Sequence, residues 1–250
     1  MKSETISLNA ERGTSLTVYL QDVQGALVSG NPRPAIIILP GGGYNHCSSR
    51  ESDPAAFPFL AEGYHVFILR YSTYPDLQWP VPLEDYEEAM ELILSHREEW
   101  EIDAKRISVM GFSAGGHLAS AAAVMAKHRP AAAILIYSLM TEDIKRYFPS
   151  APDTVSLVDE QTCPCFLAAG QNDETVSVMN TLEFARALKQ HQIPFECHIY
   201  SEGPHGCSTG SRSVLHNLKP LTPRLTSWVK DSLAWLNETI GDFDLPRKEL

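Results

Sequence analysis

The sequence predicts an α/β fold: an eight-stranded, mostly parallel sheet with helices on both faces. Short apolar runs rich in Val, Ile, Leu and Tyr alternate along the chain with segments of helical period, which is the pattern of a parallel sheet covered on both sides. Residues 35–39 are apolar at every position, as expected of a central strand that is buried on both faces. The chain has 250 residues, 44% of them hydrophobic, so it can bury a large core without disulfides or metals.

Eight segments are predicted to be strands. The first two alternate between apolar and polar residues and are separated by the turn residues 9–13. They therefore predict an antiparallel hairpin within residues 1–30, at one edge of the sheet. In chain order, the predicted strands are residues 5–8, 15–20, 35–39, 65–69, 107–110, 132–137, 165–169 and 195–200.

Three further segments carry apolar residues at helical spacing, which predicts helices with one face toward the core. The last runs from Pro223 to Leu236, and the polar tail, residues 241–250, is expected to fray. No linker or repeat interrupts the pattern, so we expect residues 1–250 to form a single domain. The apolar stripes are Leu83, Tyr86, Met90, Ile93 and Leu94; Val178, Leu182, Ala185 and Leu188; and Leu225, Trp228, Val229, Leu233 and Leu236.

Charge argues against two classes of partner. The chain carries 20 Lys and Arg against 31 Asp and Glu, a formal net charge of −11, which repels nucleic-acid phosphates and anionic lipids. The first residues lack the apolar stretch of a secretory signal, so we expect a cytoplasmic protein. The five cysteines are odd in number and scattered, which predicts reduced thiols, mostly in the core.

A strand-to-helix junction carries the first chemical motif. After the predicted strand 107–110, the sequence reads Gly111-Phe112-Ser113-Ala114-Gly115-Gly116 and continues into an alanine-rich helix. A Gly-x-Ser-x-Gly motif in this context is typical of a nucleophile elbow, in which flanking glycines let the strand and the helix approach closely. We therefore predict Ser113 as a nucleophile.

A serine hydroxyl needs a general base and a group that orients the base. In this architecture, an acid and then a histidine follow the serine along the chain, each after a later strand. Asp173 follows the strand 165–169, and His205 follows the strand 195–200 in a loop rich in Gly and Pro. The sequence predicts Asp173 as the acid and His205 as the base. Other residues stay open for these roles: Glu174 and Asp159 for the acid, and His46, His117, His191 and His198 for the base.

The loop after the third strand, Pro40-Gly41-Gly42-Gly43-Tyr44, offers hydrogen-bond donors. Its glycines can turn backbone N–H groups toward the serine, where they would join the N–H of Ala114 around a developing oxyanion. The glycines do not belong to a phosphate-binding loop, because the chain lacks Gly-x-x-x-x-Gly-Lys-Ser/Thr and the third glycine of a dinucleotide fingerprint. No organic cofactor and no metal are expected.

Several motifs together resemble those of the α/β-hydrolase superfamily, in its branch of small acetyl-esterase, acetyl-xylan-esterase-like and lipase-like proteins. The resemblance implies Ser113, Asp173 and His205 as the catalytic residues and Gly42, Gly43 and Ala114 as oxyanion donors. Pro40 stands where hormone-sensitive-lipase-like relatives have His, which fits the acetyl-xylan-esterase-like branch and leaves open which glycine N–H points inward. The motifs are residues 39–44, 59–64, 69–71, 80–85, 111–117, 170–173 and 203–206.

The length between the predicted sixth and seventh strands limits any lid. The segment between Tyr137 and Cys165 has 27 residues, which leaves room for a short helix near residues 142–147 and a minimal lid. We therefore expect an open, shallow pocket. Four aromatic residues are candidates for its rim, where they would either stack on a sugar ring or pack in the core: Tyr44, Tyr71, Tyr74 and Trp79.

These observations predict a serine carboxylesterase that hydrolyses short-chain acyl esters, acetyl esters of carbohydrates among them. Its partner would be a small-molecule ester such as an acetylated sugar, with no nucleic acid and no membrane, and a homo-oligomer stays open. Two alternatives remain. One is a peptidase or amide hydrolase of the prolyl-oligopeptidase or formamidase type, and the other is a non-catalytic ligand-binding module on the same fold.

Overall fold

The computed structural model describes residues 1–22, 32–75, 77–212, 214 and 224–241. All eight predicted strands are present and form one sheet. They are β1 (Lys2–Asn9), β2 (Thr14–Leu20), β3 (Arg33–Leu39), β4 (His65–Arg70), β5 (Ile102–Phe112), β6 (Ala133–Ile136), β7 (Cys165–Gly170) and β8 (Phe195–Tyr200).

The strand order is β1-β2-β4-β3-β5-β6-β7-β8. Strand β2 pairs antiparallel with both β1 and β4, and every pair from β4 to β8 is parallel. The predicted edge hairpin and the mostly parallel sheet are confirmed. Because parallel strands point the same way, the loops that follow β3, β5, β7 and β8 meet at one edge of the sheet.

The helices are α1 (Asp53–Ala61), α2 (Val81–Ser95), α3 (Ser113–Met125), α4 (Met179–Gln190) and α5 (Trp228–Ile240). Helix α5 is preceded by a 3-10 turn, Leu225–Ser227, whereas Pro223 and the predicted tail from residue 242 lie outside the described residues. Helix α1 escapes prediction from periodicity because it contains Pro58 and its apolar residues do not form a single stripe.

The core lies on both faces of the sheet, as the alternation along β3 illustrates. Ile37 and Leu39 pack in a cluster with residues of α2, α3 and α4. Ile36 and Ile38 point to the other face and pack with residues of α1 and α5. All four side chains are fully buried, and each contributes about 1.5–3 kcal/mol of burial free energy. The predicted fold class is confirmed.

The segment between β6 and β7 builds no cap domain. It forms two short 3-10 helices, Glu142–Arg146 and Val155–Leu157, the first of which lies where the short helix is predicted. All five cysteines are free, and Cys163, Cys165 and Cys207 are buried, so the prediction of thiols is confirmed. Among the described residues, no helix has both the length and the apolar character needed to cross a membrane.

Candidate active site

Ser113 lies at the junction where β5 ends and α3 begins. Its φ is +54°, a left-handed conformation that is uncommon for a residue other than glycine and is enriched at functional sites. The side chain is only 7% exposed. The junction therefore holds the hydroxyl at the carboxyl end of the sheet, partly shielded from water.

The close approach of strand and helix depends on glycines. A Cβ on Gly111 would lie 2.2 Å from the carbonyl oxygen of Gly115, and a Cβ on Gly115 would lie 2.1 Å from the carbonyl oxygen of Leu39. Both contacts are to backbone atoms, which cannot rotate away. The Gly-x-Ser-x-Gly spacing is thus explained by packing of α3 against the ends of β3 and β5.

The substitution Gly115→Ala is expected to lower the free energy of unfolding by about 3 kcal/mol or more, because a rigid backbone clash resembles severe core overpacking. Urea denaturation followed by circular dichroism measures this loss. Gly13→Ala is the matched control: the position has φ +66° and no atom within 4 Å of an added Cβ, so only the conformational cost of about 1 kcal/mol applies. Equal losses in the two variants would contradict the packing explanation.

The loops after β7 and β8 bring Asp173 and His205 to Ser113. His205 Nδ1 lies 2.8 Å from Asp173 Oδ2, and His205 Nε2 lies 2.9 Å from Ser113 Oγ. A carboxylate only accepts hydrogen bonds, so this network assigns the proton to Nδ1 and leaves Nε2 as the acceptor for the serine hydroxyl. The three predicted residues thus form one hydrogen-bonded chain.

Asp173 is held by its own loop. Its Oδ1 accepts hydrogen bonds from the N–H groups of Thr175 (2.8 Å) and Val176 (3.0 Å), and the side chain is 1% exposed. These bonds occupy one carboxylate oxygen and direct the other at His205. With these three hydrogen bonds, both oxygens of the buried carboxylate have partners.

The alternative acids and bases lie elsewhere or have other partners. Glu174 is exposed, and Asp159 binds Arg129 at 2.7 Å, which lowers the pKa of Asp159 to about 2. His117 is buried between Tyr44 Oη and the carbonyl of Pro152, and burial lowers its pKa to about 4. The remaining candidate bases are not bonded to Ser113: His46, His191 and His198.

The glycine loop, residues 40–44, presents N–H groups beside Ser113. The Gly41 N–H is not available to an anion, because it donates to Glu51 Oε2 at 2.8 Å. The Gly41 carbonyl accepts from Ser48 N. Within the described part of the chain, the N–H groups of Gly42 and Gly43 have no acceptor, and both residues have positive φ, +134° and +61°. Ala114 lies in the first turn of α3, where N–H groups have no partner within the helix. These three N–H groups are therefore free to bind an anion.

A cavity of about 280 Å³ is lined by Gly42, Gly43 and Ser113, whereas Ala114 is not among its lining residues. Leu139 and Val176, both buried, form its apolar wall. The exposed side chains around it are polar, and sequence reasoning misses them because nothing in the local pattern distinguishes a pocket rim from ordinary surface: Asn45, His46, Arg50 and Thr175.

The structure differs from the expectation that four aromatic residues rim the pocket. Tyr44 is 0% exposed and Tyr71 3%, and Tyr71 donates its hydroxyl to the carbonyl of Pro40. Tyr74 and Trp79 are half-buried and pack against Phe148. None of the four lines the cavity. They belong to a cluster of ring contacts, because Phe148 and His117 supply ring partners from other segments.

A buried acidic residue outside the predicted set also faces the cavity. Glu51 is 2% exposed, lines the cavity beside Ser113 and His205, and accepts the hydroxyl of Tyr137 on Oε1 at 2.8 Å. Burial raises the pKa of Glu51, and the hydrogen bonds from Tyr137 and Gly41 partly offset this shift.

Comparison with known proteins identifies the family to which this chain is related. The BD-FAE family model matches residues 21–149, and the prolyl oligopeptidase family model matches residues 142–234. An acetylxylan esterase of Xylanibacter ruminicola is 26% identical over 78% of this chain and 45% of its own length. The curated relatives that match two thirds or more of this chain are much longer than it is. The chain spans less than half the length of each of them.

Two solved structures match the fold of this chain along nearly its whole length. MGS-M1, an α/β-hydrolase enzyme from a Medee basin deep-sea metagenome library, is 35% identical with a TM-score of 0.88, covering 96% of this chain and 98% of that one. An acetyl ester-xyloside bifunctional hydrolase from Caldicellulosiruptor lactoaceticus is 30% identical with a TM-score of 0.80, covering 92% and 90%. The chain therefore belongs to the BD-FAE family, in the esterase branch of the α/β hydrolases.

Proposed function

We propose that this protein is a serine carboxylesterase that hydrolyses short-chain acyl esters. The observation that carries the proposal is the continuous hydrogen-bonded chain from Ser113 Oγ through His205 to Asp173, at 2.9 and 2.8 Å. A base within reach of the hydroxyl and a carboxylate that orients the base are the requirements for activating a serine. Relatives that are an acetylxylan esterase and a carboxylesterase support the same chemistry.

In the first half-reaction, Ser113 Oγ attacks the ester carbonyl while His205 Nε2 accepts the hydroxyl proton. Asp173 stabilises the resulting imidazolium and holds its orientation. The oxyanion of the tetrahedral intermediate lies among the N–H groups of Gly42, Gly43 and Ala114, each of which contributes about 3 kcal/mol where it is well aligned. When the C–O bond to the alcohol breaks, His205 returns the proton to the alkoxide leaving group.

The second half-reaction repeats these steps with water. His205 Nε2 accepts a proton from the water that attacks the acyl-serine, and collapse of the new intermediate breaks the bond to Ser113 Oγ, which regains its proton from His205. The products are a carboxylic acid and an alcohol. The chemistry consumes one water and needs no group beyond the protein's own residues.

The size and lining of the cavity support a small acyl group on a polar alcohol. Its volume of about 280 Å³ lies at the lower end of small-molecule sites, and its apolar wall is restricted to a few side chains such as Leu139 and Val176. Polar side chains surround the opening. The acetylxylan esterase and the acetyl ester-xyloside hydrolase among the relatives support an acetylated carbohydrate as the substrate.

An ester panel tests the acyl preference. We expect kcat/KM for p-nitrophenyl acetate to exceed that for p-nitrophenyl octanoate by at least about a hundredfold, because even a single methylene that the pocket excludes costs about 1–3 kcal/mol of transition-state binding. Acetylated xylo-oligosaccharides should release acetate, measured by an enzyme-coupled assay. Equal rates on acetate and octanoate would contradict a small acyl pocket, and no acetate release from the oligosaccharides would contradict the carbohydrate substrate.

One alternative is favoured by a specific observation, the match of residues 142–234 to the prolyl oligopeptidase family. The same triad cleaves amides in such enzymes. Aminoacyl p-nitroanilides and formyl amides assayed beside the acetyl esters separate the two activities. A higher kcat/KM for an amide than for any ester would replace the esterase with an amide hydrolase, and absence of labelling of Ser113 by a fluorophosphonate would favour a non-catalytic module.

A further inference from the structure

Glu51 occupies a position between the glycine loop and the loop that carries His205. It ends a 3-10 turn, Ser49–Glu51, yet its side chain points inward and is almost fully buried. A buried carboxylate is costly unless its oxygens are satisfied by hydrogen bonds. Both oxygens have partners here, one on each of two segments, so this residue joins parts of the site that are distant in sequence.

The hydrogen bonds around Tyr137 define the protonation state of Glu51. The Tyr137 hydroxyl oxygen accepts the N–H of Ser208 at 2.9 Å and lies 2.8 Å from Glu51 Oε1. The phenol hydrogen is therefore available to Glu51, and Gly41 N–H donates to the other oxygen. An ionised carboxylate satisfies every group in this arrangement, whereas a protonated one would leave the phenol hydrogen unpaired in the interior.

One end of this network fixes the glycine loop. The bond from Gly41 N–H to Glu51 Oε2 and the bond from Ser48 N to the Gly41 carbonyl hold the Gly41 backbone on both sides. There is no space for another group, since a Cβ on Gly41 would lie 2.7 Å from Glu51 Oε2 and 3.0 Å from Ser113 Cβ. With Gly41 fixed, the directions of the Gly42 and Gly43 N–H groups are set relative to Ser113.

The other end supports His205. The Tyr137 ring packs edge-on against the imidazole with centroids 5.0 Å apart, and the Tyr137 hydroxyl anchors Ser208, three residues beyond His205. The charged groups around the imidazole are Asp173, bonded to Nδ1, Glu51 across the cavity, and Arg50, whose guanidinium lies against Gly206. The other titratable groups described around it are His46 and Tyr147 across the cavity, Tyr137 itself, and the buried Cys207, two positions along the loop. The negative charge of Glu51 favours the imidazolium that forms when Ser113 is deprotonated.

We propose that Glu51 is a positioning residue for the reaction proposed above, holding the glycine loop and the His205 loop in register while its charge stabilises the protonated imidazole. This proposal rests on the proposed esterase function and adds a residue to it. Glu51 acts through Gly41, Tyr137 and His205 and forms no bond to the substrate.

The test is the pH profile of kcat and kcat/KM for p-nitrophenyl acetate, from pH 5 to 9, in Glu51→Gln and Tyr137→Phe. For Glu51→Gln we expect kcat to fall by about tenfold to a hundredfold with little change in KM, because misaligned oxyanion donors act in the transition state. The acid limb of kcat/KM should move to lower pH, since a nearby negative charge is lost. Tyr137→Phe retains that charge, so its kcat should fall while its acid limb stays in place.

Glu62→Gln is the matched control, since it removes the same charge from an exposed position that follows α1, and it should keep the wild-type profile. An unchanged kcat in Glu51→Gln, or a fall in kcat with an unmoved acid limb, would overturn the proposal.

Should Glu51→Gln not fold, Tyr137→Phe decides: a lower kcat supports the proposal and an unchanged kcat overturns it. Ser113→Ala distinguishes a failure of the esterase proposal from a failure of the Glu51 proposal. Full activity in Ser113→Ala would defeat the esterase function itself. An inactive Ser113→Ala together with wild-type activity in Glu51→Gln would defeat only the role of Glu51.

Discussion

Replacing Ser113 by alanine should lower kcat for p-nitrophenyl acetate by about a millionfold, the typical cost of losing the nucleophile of such a triad. The physical reason is that His205 Nε2 is bonded to Ser113 Oγ, and the methyl group of alanine can neither attack the carbonyl nor form the acyl intermediate. Stopped and steady-state assays at saturating ester measure the loss, and labelling by a fluorophosphonate should disappear with it.

The control for this variant is Ser120→Ala, on the same helix. Ser120 is also buried, but its hydroxyl bonds Thr154 Oγ1 and the carbonyl of His117 and not the triad. Its removal should cost about 1 kcal/mol of stability and leave kcat within about tenfold of the wild type. Ester hydrolysis that survives in folded Ser113→Ala would refute the assignment of the nucleophile.

Asp173→Asn is expected to lower kcat by about ten-thousandfold. Asn keeps the size of the side chain, but its NH₂ group can face His205 Nδ1 as a donor. The imidazole would then carry its proton on Nε2, where it can no longer accept the proton of Ser113. The measurement is kcat for the acetyl ester together with the thermal midpoint, which should change far less than the rate.

Glu174→Gln is the matched control for this effect, because the neighbouring carboxylate is exposed and lies outside the cavity lining. It should retain wild-type kcat. A large loss in Glu174→Gln with little loss in Asp173→Asn would transfer the role of the acid to Glu174, the alternative that the sequence leaves open.

The strand pattern and the order of the chemical residues could be predicted because both follow from local signals. Continuous apolar runs such as β3 require burial on both faces wherever they occur. The position of Asp173 and His205 just after predicted strands is a local feature too, and parallel strands bring such positions to one edge of the sheet. For these reasons the sequence predicts the residues that the structure brings into hydrogen-bond contact.

Features that depend on distant segments could not be predicted in this way. An aromatic residue after a strand fits a pocket rim and a core equally well, and Tyr44 is buried where His117 and Phe148, both distant in sequence, pack against it. Glu51 resembles any solvated acidic residue in the sequence. Its burial depends on Tyr137, 86 positions away, a pairing that neither residue's neighbours indicate.

The separation between Ser113 and His205, 92 positions along the chain, has a consequence for the kinetics of folding. Contacts between distant segments form late, since the entropy of closing a long loop is lost before the contact stabilises the chain. The Ser113 elbow can form from β5 and α3, but the hydrogen bond to His205 requires β6, β7 and β8 to be in place. Recovery of activity after denaturation therefore reports completion of the sheet, and a chain truncated before β8 would lack the base.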